Sequence, residues 1–449
     1  MTKIKKISLI IGGSFVLIAV ILCAVQMLVA PYIYDAKLAS VLSVIEKKVP
    51  GLKLEYEETA SNLITREGEI SWSLPLPPEN IFLMEEVSGK VNLKTVFGPI
   101  SVKGEFNSIS GGSIDSIFSN NPKMPFTYKG AYEFSALLLK AQAGVKSGNF
   151  MVQLPDGKCV VGESSLYSKL KSLSSANIDL ALAGIHCQGD EEFSSEKSYL
   201  INLEGFSLKT EPTYIDNRLG VNKINVGLNK FTADISTVYA LGFKPETQVH
   251  DPTLREYFSV SRLGALLEVK DPDAQGLSEI VSDGSADFNF AFPYVKEDTR
   301  KEVTRLTDFR YAFSLEKVNL PLLVKALNVP EEDFFKTVSS AIADNVSFSV
   351  QNLSCNYKQD GFSVTGFIKA KLDKASLKVD DVNAMFDVKG GKEFVDFLLR
   401  EDQRPLLEES LQEGKITYKA PFYITKFVLQ DKKATLNGIA FKAEDDDEN

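Results

Sequence analysis

Three hydrophobic patterns follow one another along the chain. Residues Ile7 to Ala30 are apolar apart from Ser8, Gly12, Gly13, Ser14 and Gln26, with Lys3, Lys5 and Lys6 just before them. At about 1.5 Å rise per residue this run makes a helix of ~36 Å, long enough to cross a hydrocarbon core of ~30 Å. It predicts a transmembrane helix over 7–30 behind a cytoplasmic stub, 1–6. A cleavable signal peptide has a shorter apolar region and a small-x-small cleavage site, whereas Pro31-Tyr32-Ile33-Tyr34 suits an aromatic anchor at the interface. From Asp35 to Lys48 the pattern changes to helical spacing, with Leu38, Val41, Leu42 and Ile45 on one side. Residues 31–50 therefore read as an amphipathic juxtamembrane helix that stops at Pro50-Gly51. It either lies on the bilayer or packs on the first sheet.

From Leu52 the period becomes two, in short runs broken by Gly, Pro, Asn and Asp. Val91–Val96 and Ile100–Phe106 flank Phe97-Gly98-Pro99 and predict a hairpin, as do Phe150–Leu154 and Lys158–Val161 around Pro155-Asp156-Gly157. Ala286–Phe292 alternates strictly, and Val346 to Tyr357 alternates with a parity slip near Asn352 that predicts a bulge. Asp360-Gly361 is the expected turn into the next strand. A last hairpin is expected from Phe422–Leu429 and Ala434–Phe441 around Gln430–Lys433. Short helices are expected at 320–327, 331–343, 392–400 and 405–413. Strand followed by Leu-x-Lys and a short helix occurs twice, at Ile224–Leu241 and Tyr311–Leu327. The fold class is thus mainly β with short helices (α+β): an N-terminal transmembrane helix, then an elongated antiparallel β-sheet ectodomain, flat or curved. It divides into a first β-rich part, 51–220, a second with strand-helix units, 221–441, and an acidic disordered tail, 442–449.

Charge sets the topology. The lysines before the span hold the N-terminus in the cytoplasm and send the bulk of the chain across the membrane. The net charge of −10 comes without a basic patch beyond those lysines, which argues against nucleic-acid binding. Of the four cysteines, Cys23 lies in the span, while Cys159, Cys187 and Cys355 would face an oxidising compartment. Cys159 and Cys187 are the favoured bridge, because a returning loop can form between them. Three pairings exist, and spacing alone does not choose.

Candidate chemistry is sparse. With only two histidines, zinc sites and Ser-His or Cys-His catalysis lack material. Gly361-Phe362-Ser363-Val364-Thr365 misses the last glycine of a nucleophile elbow, and Gly391-Lys392 lacks both the first glycine and the Ser or Thr of a phosphate loop. Asp271 to Ser282 opens like a calcium loop but ends without the bidentate carboxylate. No metal, cofactor or catalytic residue is assigned. The positive signal is the set of 29 phenylalanines. Phe288, Phe290, Phe292, Phe348, Phe362 and Val364 either form a dry core or line a groove for acyl chains, where burial of apolar surface yields about 25 cal/mol per Å².

The lysine-flanked span, the amphipathic helix that follows it and Pro50-Gly51-Leu52-Lys53-Leu54-Glu55-Tyr56 leading into alternating strands resemble the YdgA-like family of bacterial envelope proteins, whose function is unknown. More distantly the chain resembles the AsmA-like bridge proteins, whose long curved sheets are linked to phospholipid transport. The resemblance implies a single-pass protein of the bacterial inner membrane with a periplasmic bulk. It implies a non-enzymatic role in envelope maintenance, with phospholipid or other envelope proteins as partners and no catalytic residues to carry over. A structural or adaptor ectodomain is the alternative, and an unrecognised hydrolase a third.

Overall fold

The computed structural model describes residues 29–47, 49–76, 85–109, 113–114, 126–135, 140–154, 157–172, 175–189, 199–215, 218–235, 256–270, 272–273, 276–291, 304–319, 321–322, 325, 329, 337, 340–373, 378–399 and 401–440. The expected span and the acidic tail fall outside them, save for Val29 and Ala30. No helix among the described residues is long and apolar enough to cross a membrane. The chain forms two compact units, which divide at Ser195/Glu196 apart from a short exchange at Ser174–Ala176.

The first unit opens with helix α1, 29–47. Val29 and Ala30, the last residues of the expected span, already belong to α1, and Pro31 is buried within it, where its fixed φ is near the helical value. Ten strands follow as an antiparallel meander: β1 (Lys53–Ser61), β2 (Thr65–Pro75), β3 (Glu86–Phe97), β4 (Val102–Ile109), β5 (Tyr128–Ser135), β6 (Lys140–Ser147), β7 (Phe150–Leu154), β8 (Gly157–Val161), β9 (Ser164–Ser172) and β10 (Ser175–Gly189). β1 to β6 pair in order; β6 then pairs β9, β7 pairs β8, and both β8 and β9 pair β10. Both expected hairpins, β3/β4 and β7/β8, are present.

β3 sets the core of this unit. Val87, Leu93, Thr95 and Phe97 alternate with exposed Lys90, Asn92 and Lys94, so one face is buried. Helix α1 covers that face. Its Tyr34 ring meets Phe97 edge-on at 5.4 Å, and Thr95 Oγ1 donates to the Tyr34 hydroxyl at 2.9 Å and sits 2.6 Å from the Tyr132 hydroxyl. Arg66 pairs with Asp35 at 3.1 Å, and Glu46 accepts the Leu54 N–H at 2.8 Å. Packing on the sheet is thus the observed role of the helix. Its inner face is Tyr34, Leu38 and Leu42, whereas Val41 and Ile45 remain 52% and 40% exposed. The polar tethers at Asp35 and Glu46 account for that rotation.

The second unit is also an antiparallel meander: β11 (Tyr199–Ile215), β12 (Arg218–Ile235), β13 (Glu256–Val269), β14 (Ser278–Ala291), β15 (Thr304–Val318), β16 (Ile342–Tyr357), β17 (Asp360–Asp373) and β18 (Lys378–Gly391) pair in sequence. Helix α2 (Lys392–Leu398), a 3₁₀ turn (Glu401–Gln403) and helix α3 (Arg404–Gln412) precede β19 (Thr417–Lys419), β20 (Phe422–Gln430), β21 (Lys433–Leu436) and β22 (Ile439–Ala440). β20 returns to pair with β18, and β19 and β21 share its other edge. β11 belongs to this unit.

Three boundaries differ from expectation. The strand expected over Ala434–Phe441 folds back as β21 and β22, because Asn437 and Gly438 take φ of 49° and 83° and make a tight turn. The turn into β17 is Lys358-Gln359, so Asp360 and Gly361 already pair with β16. β16 starts at Ile342, inside the helix expected over 331–343, because Ile342 pairs with Val318. The bulge foreseen near Asn352 is present, between Val350 and Leu353. The Leu-x-Lys segments differ in setting: Lys230 lies in the middle of β12, and Lys317 is next to the end of β15 with φ of 66°.

Candidate functional site

Residues directly opposite each other in neighbouring strands point to the same side of a sheet, so register decides which aromatic rings share a face. Phe288 is opposite Val260 on one side and Leu306 on the other, and Phe290 is opposite Phe258. Leu306 is opposite Tyr357, Cys355 opposite Phe362, Leu353 opposite Val364 and Phe348 opposite Ile368. Phe288, Phe290, Phe348, Phe362 and Val364 therefore lie on one face and are all half-buried. Phe292 lies outside the described residues.

The same face holds rings that the sequence reading left out. Phe309, Tyr311 and Phe313 of β15 alternate with Arg310 and Ala312, a period-two signal that was available. Phe288 meets Phe309 edge-on at 5.6 Å, Tyr311 stacks on Phe313 at 5.4 Å, and Phe313 stacks on Phe348 at 5.8 Å. Phe386 of β18 and Phe427 of β20 extend the row, with centroids 6.4 Å apart. The result is an aromatic ladder in two groups on one face, β14 to β16 and β18 to β20, with Phe386 lying over Gly366 of β17 between them.

Glycines opposite several rings let them lie flat. Gly284 is paired with Tyr311 and Gly366 with Phe386, and a Cβ on either glycine would come within 2.6 Å of the ring that covers it. A ring laid over a glycine shields backbone without a second layer of structure. Among the described residues, only α2 packs on this sheet as a further layer, against β17 and β18.

α2 closes one end of the aromatic face. Phe394 stacks on Phe362 at 4.8 Å and Phe397 on Tyr357 at 4.9 Å, which leaves Cys355 2% exposed beneath them. Burial pushes the Cys355 thiol up to about 11, so it is neutral at physiological pH. The helix start is held from β17: Asp360 accepts the N–H of Glu393 at 2.9 Å and of Phe394 at 3.2 Å, two of the donors a helix leaves unsatisfied. Asp360→Ala is expected to cost about 1–2 kcal/mol at this junction. The readout is Cys355 in a Cys23→Ser background: protected from an aqueous maleimide in the parent, labelled in the native variant.

The opposite face is polar. Ser259, Asp287, Ser314 and Ser347 are buried on it. A cleft of about 700 Å³ opens there around two bulges, where Arg262 and Asp308 take φ of 54° and 53°. Four of its charged groups are engaged with one another: Asp287 bonds the Arg262 guanidinium and accepts the Asp308 N–H at 2.7 Å, and Arg310 pairs with Asp308 at 2.8 Å.

In the first unit, Cys159 and Cys187 are directly opposite in β8 and β10 and are joined as a disulfide, with Cα atoms 4.0 Å apart. The intervening residues are a strand, β9, where a loop was expected. His186, next to Cys187, is exposed. The described residues contain no cluster of His, Cys, Asp and Glu arranged to hold a metal. No family model, curated protein or solved structure matches the chain.

Proposed function

We propose that this is a membrane-anchored, non-enzymatic protein of the bacterial envelope, periplasmic in bulk, whose second unit binds or conducts the acyl chains of phospholipid along its aromatic face. One observation carries the reading: Phe288, Phe290, Phe348, Phe362 and Val364 share a half-exposed face with further rings of β15, β18 and β20. A face of this width, apolar and without a second sheet over it among the described residues, favours a long apolar ligand over a compact polar one. The Ile7–Ala30 run and its lysines support anchoring in the inner membrane with the N-terminus inside. The likeness to the YdgA-like and AsmA-like proteins fits the same reading.

The test is native mass spectrometry with lipid extraction on the full chain purified in detergent. The expected result is co-purified phospholipid, lost when Phe288 and Phe290 are replaced by glutamine in a protein with unchanged circular dichroism. A folded, lipid-free parent would move the assignment to an adaptor for envelope proteins.

A further inference from the structure

The sheet of the first unit has a second face, turned away from α1, and it carries a different kind of surface. Thr95, Gly104 and Tyr132 are opposite one another on the helix side, so their neighbours Lys103, Glu105 and Glu133 point the other way. On that outer face β4, β5, β6 and β9 bring three rows of residues into register. A middle row runs Glu105, Ala131, Gly144, Tyr167; one flanking row holds Lys129 opposite Lys146, and the other holds Glu133 opposite Gln142. These residues line a cavity of about 890 Å³, and on every strand its outermost members belong to this face.

Three features of the cavity point to a ligand. The floor is low, because Ala131 carries only a methyl group and Gly144 is covered by the Tyr167 ring alone. The Tyr167 ring lies against Gly144, where a Cβ would meet it at 3.1 Å, and is 38% exposed. Its hydroxyl donates to Gln142 at 2.9 Å, and Gln142 donates to Glu133 at 2.9 Å, so the ring is fixed as a flat platform. Glu133 is held below the usual carboxylate range by its hydrogen bond to Lys140 at 2.7 Å, and so stays an acceptor at neutral pH. Lys129 and Lys146 face each other directly, and neither has an ion pair among the described residues. Two like charges placed opposite in a sheet repel, and a shared anion relieves that repulsion.

We infer that this cavity is a binding site for a saccharide that carries an anionic substituent, a phosphate or a carboxylate. The sugar ring stacks on Tyr167 beside Ala131, its hydroxyls meet Gln142 and Glu133, and its anionic group sits between Lys129 and Lys146. The spacing fits, since rows two residues apart along a strand are about 7 Å from each other. This site lies on a different unit from the aromatic ladder and stands independently of the lipid reading.

Saturation-transfer NMR and calorimetry on the full chain in detergent, with glucose 1-phosphate as the probe, test the inference. Glucose 1-phosphate is expected to bind with saturation of its ring protons, and glucose or inorganic phosphate alone to bind about tenfold more weakly. Lys129→Gln with Lys146→Gln should weaken glucose 1-phosphate about tenfold and leave glucose unchanged. Tyr167→Ala should weaken both sugars, and Tyr167→Phe, which keeps the ring, should retain most of the affinity. Absence of binding, equal affinity for inorganic phosphate, or indifference to these substitutions would overturn the assignment.

Discussion

Replacing Phe97 with alanine is expected to destabilise the first unit by about 3–5 kcal/mol. Phe97 is 1% exposed and its ring is enclosed on several sides: Tyr34 of α1 at 5.4 Å, and the Arg66 guanidinium 5.8 Å above it. Truncation leaves a cavity that the surrounding sheet cannot collapse into, because the backbone on both sides of Phe97 is pinned. Its N–H donates to Ile64 at 2.8 Å, and the residue is paired with Val102. The loss also loosens α1, whose Tyr34 packs on that ring. Urea unfolding followed by Trp72 is a clean readout, since the chain has a single tryptophan and it lies in β2. The expected result is a lower midpoint with unchanged slope. A midpoint within the error of the parent would mean that α1 and β3 do not form this core.

The second large effect is expected from the disulfide. Cys159 and Cys187 are 28 residues apart, and closing a loop of that length removes unfolded-state entropy worth about 3–4 kcal/mol at 25 °C. Cys159→Ala with Cys187→Ala should therefore lower the stability of the first unit by that order, and a reducing agent should do the same to the parent and nothing further to the variant. The strand register makes the folded state indifferent to the bond: β8 and β10 are paired on either side of it, from Val161 with Ile185 to Gly157 with Gly189. Secondary structure of the variant should accordingly match the parent below the transition. Loss of β signal at low urea would show instead that the bond is needed to form the pairing.

Much of this architecture was legible in the residues, and the limit follows from what local pattern can encode. Period-two runs gave the strands around Phe97-Gly98-Pro99, and the parity slip at Asn352 gave the bulge, because both are properties of a few neighbouring residues. Which rings share a face across strands is not such a property. Phe288 and Phe362 reach the same side only because bulges at 286–288 in the β14/β15 pairing and at 307–310 in β15/β16 set the intervening register. The pairing of Gly366 with Phe386, or of Gly104 with Tyr132, is likewise a product of long-range register. Isolated glycines in strand-like runs were its only trace. The Asn437-Gly438 turn was readable from its dipeptide, and the apolar residues on both sides made one long strand look continuous. The outer face of the first unit was not legible at all, since Lys129, Gly144 and Tyr167 come from three separate strands.

Lipid is expected to meet one face of the second unit and not the other. Phe348 and Ser349 are adjacent in β16 and point to opposite faces, with Phe348 stacked on Phe313 and Ser349 opposite Ser314. A photo-crosslinking amino acid placed at either position in living cells, followed by mass spectrometry of the adduct, compares the two faces directly. A phospholipid adduct is expected at position 348 and none at 349. Equal labelling at both, or protein adducts alone at 348, would contradict it.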